Sequence, residues 1–303
     1  MMNYDEFKME LQENLQRDYE SASIEVMNTS HTNRTFEAMI VHVLNSGVYL
    51  PSIDLEYWFK KYENLGESSI AHVYEKICGF LSGETVRLVK TGCTDSDIGN
   101  GGLFISLVNE EMNKDMLKDV PHKKFLDLAI ICRKRVEVEG KEDCIASLTV
   151  TNDLLARWNI TEDKLFEMAT ENTRKNYLTE TFSLCDIFGF PSFNSGEKDA
   201  SCVYDMEVVT NKEKYEGAVN ALVFHDGLKE IADKVDSNLF ILPSSRHEVI
   251  CVSSEMGDAE SYVEMVKLIN DDPSVISQKD ILSSNVYYYD RERDEVSIAE
   301  CGK

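Results

Sequence analysis

Residues 239–252 read LFILPSSRHEVICV: an apolar run, a polar break from Pro243 to Glu248, and a second apolar run. Two short β-rich runs on either side of a proline-and-serine break describe a hairpin. Pro243 fixes φ where the connection begins, and the hydroxyls of Ser244 and Ser245 can bond neighbouring backbone groups. Strand, turn, strand here makes the local sheet antiparallel, and the rest of the chain follows the same grammar.

Working outward, CVYDMEVVT and GAVNALVF read as strands and HDGLKEIADKV as a helix capped by Asp226. Beyond the hairpin, Tyr262, Met265, Val266 and Ile269 recur at helical spacing, and VYYYD and EVSIA close a hairpin around RERD. Further back, FLDLAIICRKRVEV and CIASLTV form a hairpin through Gly140, followed by two helices, the second capped by Thr161. At the start, Tyr4, Phe7, Leu11 and Leu15 share one helical stripe, and SIEVMN and RTFEAMIVHVLN read as strands. Two helices follow, one with Ser52 as N-cap and Gly66 as its stop, the other through Ile70, Val73, Tyr74 and Ile77.

Hairpins dominate over crossovers. The expected fold is α+β: mainly antiparallel sheets from repeated strand-strand-helix units, with helices packed on one face. The punctuation divides the chain into an N-terminal α+β subdomain (1–100), a central strand-strand-helix subdomain (101–180), a linker or packing segment (181–201) and a C-terminal α+β subdomain (202–303).

Composition narrows the function classes. The chain has 303 residues, 43% of them hydrophobic, so it can bury a core. Its 55 acidic residues against 31 basic ones give a formal charge of −24. That field repels nucleic acid and anionic lipid, so neither nucleic acid nor membrane is an expected partner. An acidic mimic of nucleic acid stays a third, weaker reading. The first twenty residues lack the basic start and apolar core of an export signal, and no apolar run approaches the roughly 20 residues of a bilayer span. A cytoplasmic protein is expected. The eight cysteines form no C-x-x-C pair; Cys132 and Cys251 lie inside apolar strands and read as small buried hydrophobes.

Motifs that carry chemistry stay incomplete. HEVIC at 247–251 begins like a zinc H-E-x-x-H motif, but the motif needs a helix, and four residues along a strand span about 13 Å. DSDIGNGG at 95–102 has Asn100 where a calcium loop needs glycine and Ser106 where it needs a bidentate glutamate. No G-x-S-x-G elbow is present. His42 and His72 lie among apolar positions and are expected in the core or at its edge. No metal site and no cofactor is expected.

The remaining candidates cluster in two places. In the 244–248 turn, Ser245 as nucleophile, His247 as base and Glu248 are catalytic candidates, with Ser244 and Arg246 as candidate binding residues. Along an extended chain Ser245 and His247 point one way and Glu248 the other, which disfavours a local triad. Between 177 and 201, Phe182, Phe188, Phe190 and Phe193 offer candidate aromatic contact surface.

MNYDEF (2–7), VPHKKFLDLAI (120–130), VTNDLLARWNI with ATENT (150–173) and above all LFILPSSRHEVI (239–250) are arranged as in a domain-of-unknown-function family. The chain resembles that family, of clostridial, largely gut-dwelling Firmicutes, over nearly its whole length, with ILPSS-x-HEV as the most specific mark. It is similar, more faintly, to a bacillar family sharing the proline-serine-serine turn. The resemblance implies a bacterial cytoplasmic protein and brings no activity, catalytic residue or cofactor. The leading expectation is a non-enzymatic protein that binds a protein or peptide partner through the Phe182–Phe193 segment or an exposed edge strand. The alternative is a hydrolase or transferase built on Ser244–Glu248. Oligomeric state is not legible.

Overall fold

The computed structural model describes residues 2–43, 52–64, 70–83, 102–136, 146–184 and 206–300. The chain forms two compact units, Met1–Gly102 with Lys134–Leu148, and Leu103–Arg133 with Thr149–Lys303. Residues 101–180, expected as one central subdomain, are thus divided between the two.

The first unit begins with α1 (Tyr4–Asp18), followed by β1 (Ala22–His31), β2 (Arg34–Val43), β3 (Ile53–Asp54), α2 (Leu55–Asn64) and α3 (Ile70–Gly83). Asn3 and Glu6 close a capping box at the start of α1, which satisfies two otherwise orphaned N–H groups. The stripe of Phe7, Leu11 and Leu15 is buried against Ile53, Leu55, Val73 and Ile77. β1 and β2 pair antiparallel around a two-residue turn, with Asn33 at φ 61° where the turn needs a left-handed residue.

Two expectations fail in this unit. α2 is capped by Asp54, whose Oδ1 accepts the Tyr57 N–H at 2.9 Å, and not by Ser52. The buried Ile53 pairs with β2 as strand, which delays the helix start. His42 and His72 are half exposed, each 3.9 Å from a glutamate, Glu25 and Glu75 respectively. On β2, His42 alternates with the buried Val41 and so points to the other face of the strand. Gly66 lies outside the described residues.

The second unit opens with β4 (Leu103–Asn109), β5 (His122–Phe125), β6 (Leu128–Val136), β7 (Ala146–Thr149), α4 (Asn152–Trp158) and α5 (Glu162–Asn176), with β6 and β7 running on into residues of the first unit. Next come β8 (Thr179–Ser183), β9 (Glu207–Asn211), α6 (Ala218–Leu222) and α7 (Leu228–Val235). β10 (Leu239–Leu242), β11 (Val249–Ser253), α8 (Ala259–Asn270), β12 (Tyr287–Asp290) and β13 (Glu295–Ile298) complete it. β4, β6 and β5 lie side by side with β7 added on β6, and a six-stranded sheet runs in the order β13-β12-β10-β11-β9-β8. The stretch FLDLAIICRKRVEV is broken by a turn at Leu126 (φ 56°) and Asp127, and Phe125 pairs with Leu128 across it.

The α+β class and the antiparallel pairing hold, and the 239–252 hairpin forms with Leu242 opposite Ile250. In the six-stranded sheet, however, helices take both faces. All four residues of β10 are buried, so the strand has no solvent side. Phe240, Leu242 and Val252 pack with Ala259, Tyr262 and Val266 of α8. On the opposite face the Ser237 and Ser253 hydroxyls lie 2.7 Å apart, Lys234 pairs with Glu207, and Asn220 of α6 donates to Thr179 at 2.9 Å. GAVNALVF is helical at 218–222, not a strand. An apolar run this short fits either period, and long-range bonds decide it. α7 is preceded by Gly227 at φ 79°, and Asp226 accepts the Thr179 hydroxyl at 2.9 Å instead of capping the helix.

Candidate functional site

The polar break at 243–248 is held by its own backbone before any side chain is considered. Ser244 N–H donates to Leu242 O (2.9 Å), Ser245 N–H to Glu248 O (3.1 Å) and Arg246 N–H to Asp280 O (2.9 Å). The carbonyls of Arg246 and His247 in turn accept the N–H groups of Ala218 and Gly217 at 3.2 and 3.0 Å. Those two donors belong to the first turn of α6, which has no side-chain cap. The loop's carbonyls replace the cap. Approach is close enough that a Cβ on Gly217 would lie 2.4 Å from His247 O and 2.6 Å from Thr210 Oγ1.

The side chains extend this grip into a buried ion cluster. Arg246 Nη1 donates to Glu216 Oε1 at 2.7 Å, and its Nε donates to Asp280 Oδ1 at 3.1 Å. Glu216 Oε2 accepts the Ser106 hydroxyl at 2.7 Å, and Arg133 Nε stands 4.0 Å from Glu216 Oε1. Ser106, Arg133, Glu216 and Arg246 are all buried. Burial works against the Arg246 charge, but Glu216, Tyr215 and Asp280 overcome it and hold the guanidinium above its usual range. Burial pushes Arg133 the other way, helped by Arg246 and only partly opposed by Glu216. Two cations therefore share two carboxylates, the condition under which buried charge is tolerated. Glu216 itself sits at φ 57° and Lys214 at φ 50°, left-handed geometry that glutamate and lysine rarely adopt.

His247 is fixed in one tautomer. Its Nδ1 accepts the Glu216 N–H at 3.1 Å, so the ring proton is on Nε2, which donates to Asp280 Oδ1 at 3.2 Å. The ring stacks on Tyr215 with centroids 5.3 Å apart. Both nitrogens are thus engaged, and neither meets Ser245. The Ser245 hydroxyl accepts the His247 N–H at 3.0 Å within its own turn, and Ser244 Oγ donates to Glu248 Oε1 at 3.4 Å. Ser245, His247 and Glu248 are not assembled as nucleophile, base and acid. Arg246 faces inward to carboxylates, not outward to a ligand. Among the described residues no group of three His, Cys, Asp or Glu side chains is placed to hold a metal ion.

Phe182 lies half-buried in β8, opposite Val208 of β9. Phe188, Phe190 and Phe193, and residues 95–101 of the glycine-rich stretch, lie outside the described residues. The structure adds Glu216, Asp280, Arg133 and Ser106 to the cluster. The signal available for two of them was a polar residue inside an apolar strand, as in LFISLV and LAIICRKRV.

A different surface lies on the outer side of α8. Met265 is 43% exposed, Ile269 39% and Leu268 73%. Val275, just past the helix, is 65% exposed. The helix buries only Ala259, Tyr262 and Val266, so its apolar arc is wider than the face it packs.

Fold and site together define an α+β protein whose 243–248 loop is locked inward while one helix leaves apolar side chains outward. The chain belongs to the family of unknown function DUF5688, whose family model matches residues 4–291. No curated protein and no solved structure matches it. No helix among the described residues is long and apolar enough to cross a membrane.

Proposed function

We propose that the protein is a non-enzymatic binding module for a protein or peptide partner, and that the partner sits on the outer side of α8. The observation that carries this reading is the set of four large apolar side chains, Met265, Leu268, Ile269 and Val275, open to solvent within eleven residues. Scattered apolar exposure is ordinary, whereas Met265, Leu268 and Ile269 cluster on one helix flank, and such clustering marks a contact surface. Against hydrolysis at Ser244–Glu248 stands the engagement of both His247 nitrogens by Glu216 and Asp280. Against an acidic nucleic-acid mimic stands the same apolar stripe, which such a mimic has no use for. The setting we propose is the bacterial cytoplasm, supported by the reduced, buried thiols of Cys132 and Cys251. A clostridial source is supported by the resemblance around ILPSSRHEV.

The test is affinity capture from the native cell lysate with the wild-type chain and with the double substitution Met265→Ser, Leu268→Ser. A partner retained by wild type and lost by a variant of unchanged thermal stability is the expected result. Identical captured proteins on both baits sink the reading.

A further inference from the structure

Two adjacent rows run along the exposed side of α8 at i, i+4 spacing. One row is Ser261, Met265 and Ile269; the next is Glu260, Glu264 and Leu268. Leu268, the most exposed of the apolar residues, therefore follows the carboxylates of Glu260 and Glu264 along its own row. Across residues 255–272 the carboxylates are Glu255, Asp258, Glu260, Glu264, Asp271 and Asp272, all exposed, and Lys267 is the one cation. Lys267 falls on the far side of the acidic row from Met265 and Ile269. The apolar stripe is thus rimmed by negative charge.

Resting on the reading of α8 as a partner surface, we propose that the segment bound there is a cationic amphipathic helix. Its apolar face lies on Met265, Leu268 and Ile269, and its lysines or arginines face Glu260 and Glu264. Helix-on-helix docking supplies affinity through the apolar anchors, and the complementary rim selects the partner's charge and speeds encounter. A second copy of this chain fits poorly. Two α8 helices face to face would bring acidic row against acidic row on chains that each carry −24. An anionic lipid surface is repelled by the same rim.

The experiment uses the full chain and two synthetic helical peptides of about 18 residues, five turns, with the same leucine face. One is flanked by lysine and the other by glutamate. Binding is read by fluorescence anisotropy at about 0.15 M salt, where the Debye length is ~8 Å. The lysine peptide is expected to bind wild type and to weaken roughly tenfold or more on Leu268→Ser, as for a central anchor. It weakens also on the pair Glu260→Lys, Glu264→Lys, while the glutamate peptide gains on that pair.

Lysine-peptide binding that ignores Leu268→Ser is general attraction to an acidic chain and overturns the proposal. Binding of neither peptide overturns it too. A glutamate peptide that binds wild type in a Leu268-dependent way rejects the cationic partner but leaves the α8 surface standing. A concentration-dependent dimer in sedimentation, abolished by Leu268→Ser, rejects it in favour of a second copy. Failure of the lysate capture, by contrast, removes the underlying reading itself.

Discussion

The 243–248 loop and the outer side of α8 belong to one unit and use their side chains in opposite ways. In the loop, charged and polar groups turn inward, and each finds a partner within the unit. On α8, apolar groups turn outward although the same helix buries Tyr262 and Val266. Burying a charge without its counter-charge is costly, so the loop's inward pattern fixes a conformation. Exposing a leucine costs little in the folded state, so the outward pattern is free to serve a contact. The teaching is that a chemically rich sequence cluster can be spent on holding the fold while an apolar helix flank stays open to solvent.

The strongest way to break that contrast is Arg246→Ala. It leaves Glu216 and Asp280 without their shared cation, and a stability loss of about 3–5 kcal/mol is expected. Denaturant unfolding measures the loss, with hydrogen exchange over 239–253 reporting whether the hairpin opens. A loss below about 1 kcal/mol would falsify the locked-loop account, because an ion pair of that worth behaves as a surface pair. Next in size is Gly217→Ala. The added Cβ meets backbone at His247 O and Cα of Thr210, neither of which can swing aside. Overpacking of this kind costs about 1–3 kcal/mol, read in the same unfolding experiment.

How much of this was legible depends on how far apart the deciding residues lie. The 239–252 hairpin was readable because both strands and their punctuation fall within fourteen residues. α1 was readable from Phe7, Leu11 and Leu15 alone. GAVNALVF was not, because its helix is completed by the carbonyls of Arg246 and His247, roughly thirty residues further on. Arg246 and His247 stood out as charge within an apolar context. Their partners Glu216 and Asp280 lie 30 and 33 residues away from them respectively, with no local pattern to join them. Met265 and Ile269 share the spacing of Tyr262 and Val266. Which of the four are covered is set by the width of sheet beneath the helix, and that width is a tertiary quantity.

The inward pattern also has a pH signature. Burial pushes the Cys132 thiol up to about 12, with Lys123 opposing slightly, and burial pushes Cys251 up as well. Both thiols stay neutral in the fold when an unfolded thiol ionises near 8.5. The native state then binds more protons, so stability is fully present below about pH 8.5 and falls as pH rises toward the folded values. Each thiol contributes about 1.4 kcal/mol for each pH unit in that window. Thermal unfolding at pH 8 and pH 9.5 measures the fall. Cys132→Ala with Cys251→Ala removes this part of the pH slope, and an unchanged slope contradicts the assignment.

The smallest stability effect is expected at the exposed flank of α8 where the proposed partner would sit. Leu268 is 73% exposed and lies beyond the arc that α8 packs on the sheet, so Leu268→Ser removes little buried contact. Serine is a slightly poorer helix former than leucine, and the net change stays within about 0.5 kcal/mol. Tyr262→Ala on the same helix takes an aromatic ring out of contact with Phe240, whose centroid lies 5.6 Å away. That substitution costs about 3 kcal/mol, the scale of deleting a buried aromatic. Paired thermal melts of the two variants locate the boundary between packed and open sides of one helix. If Leu268→Ser destabilises as Tyr262→Ala does, Leu268 is a core residue of the folded chain, and α8 has no outward side for a partner to use.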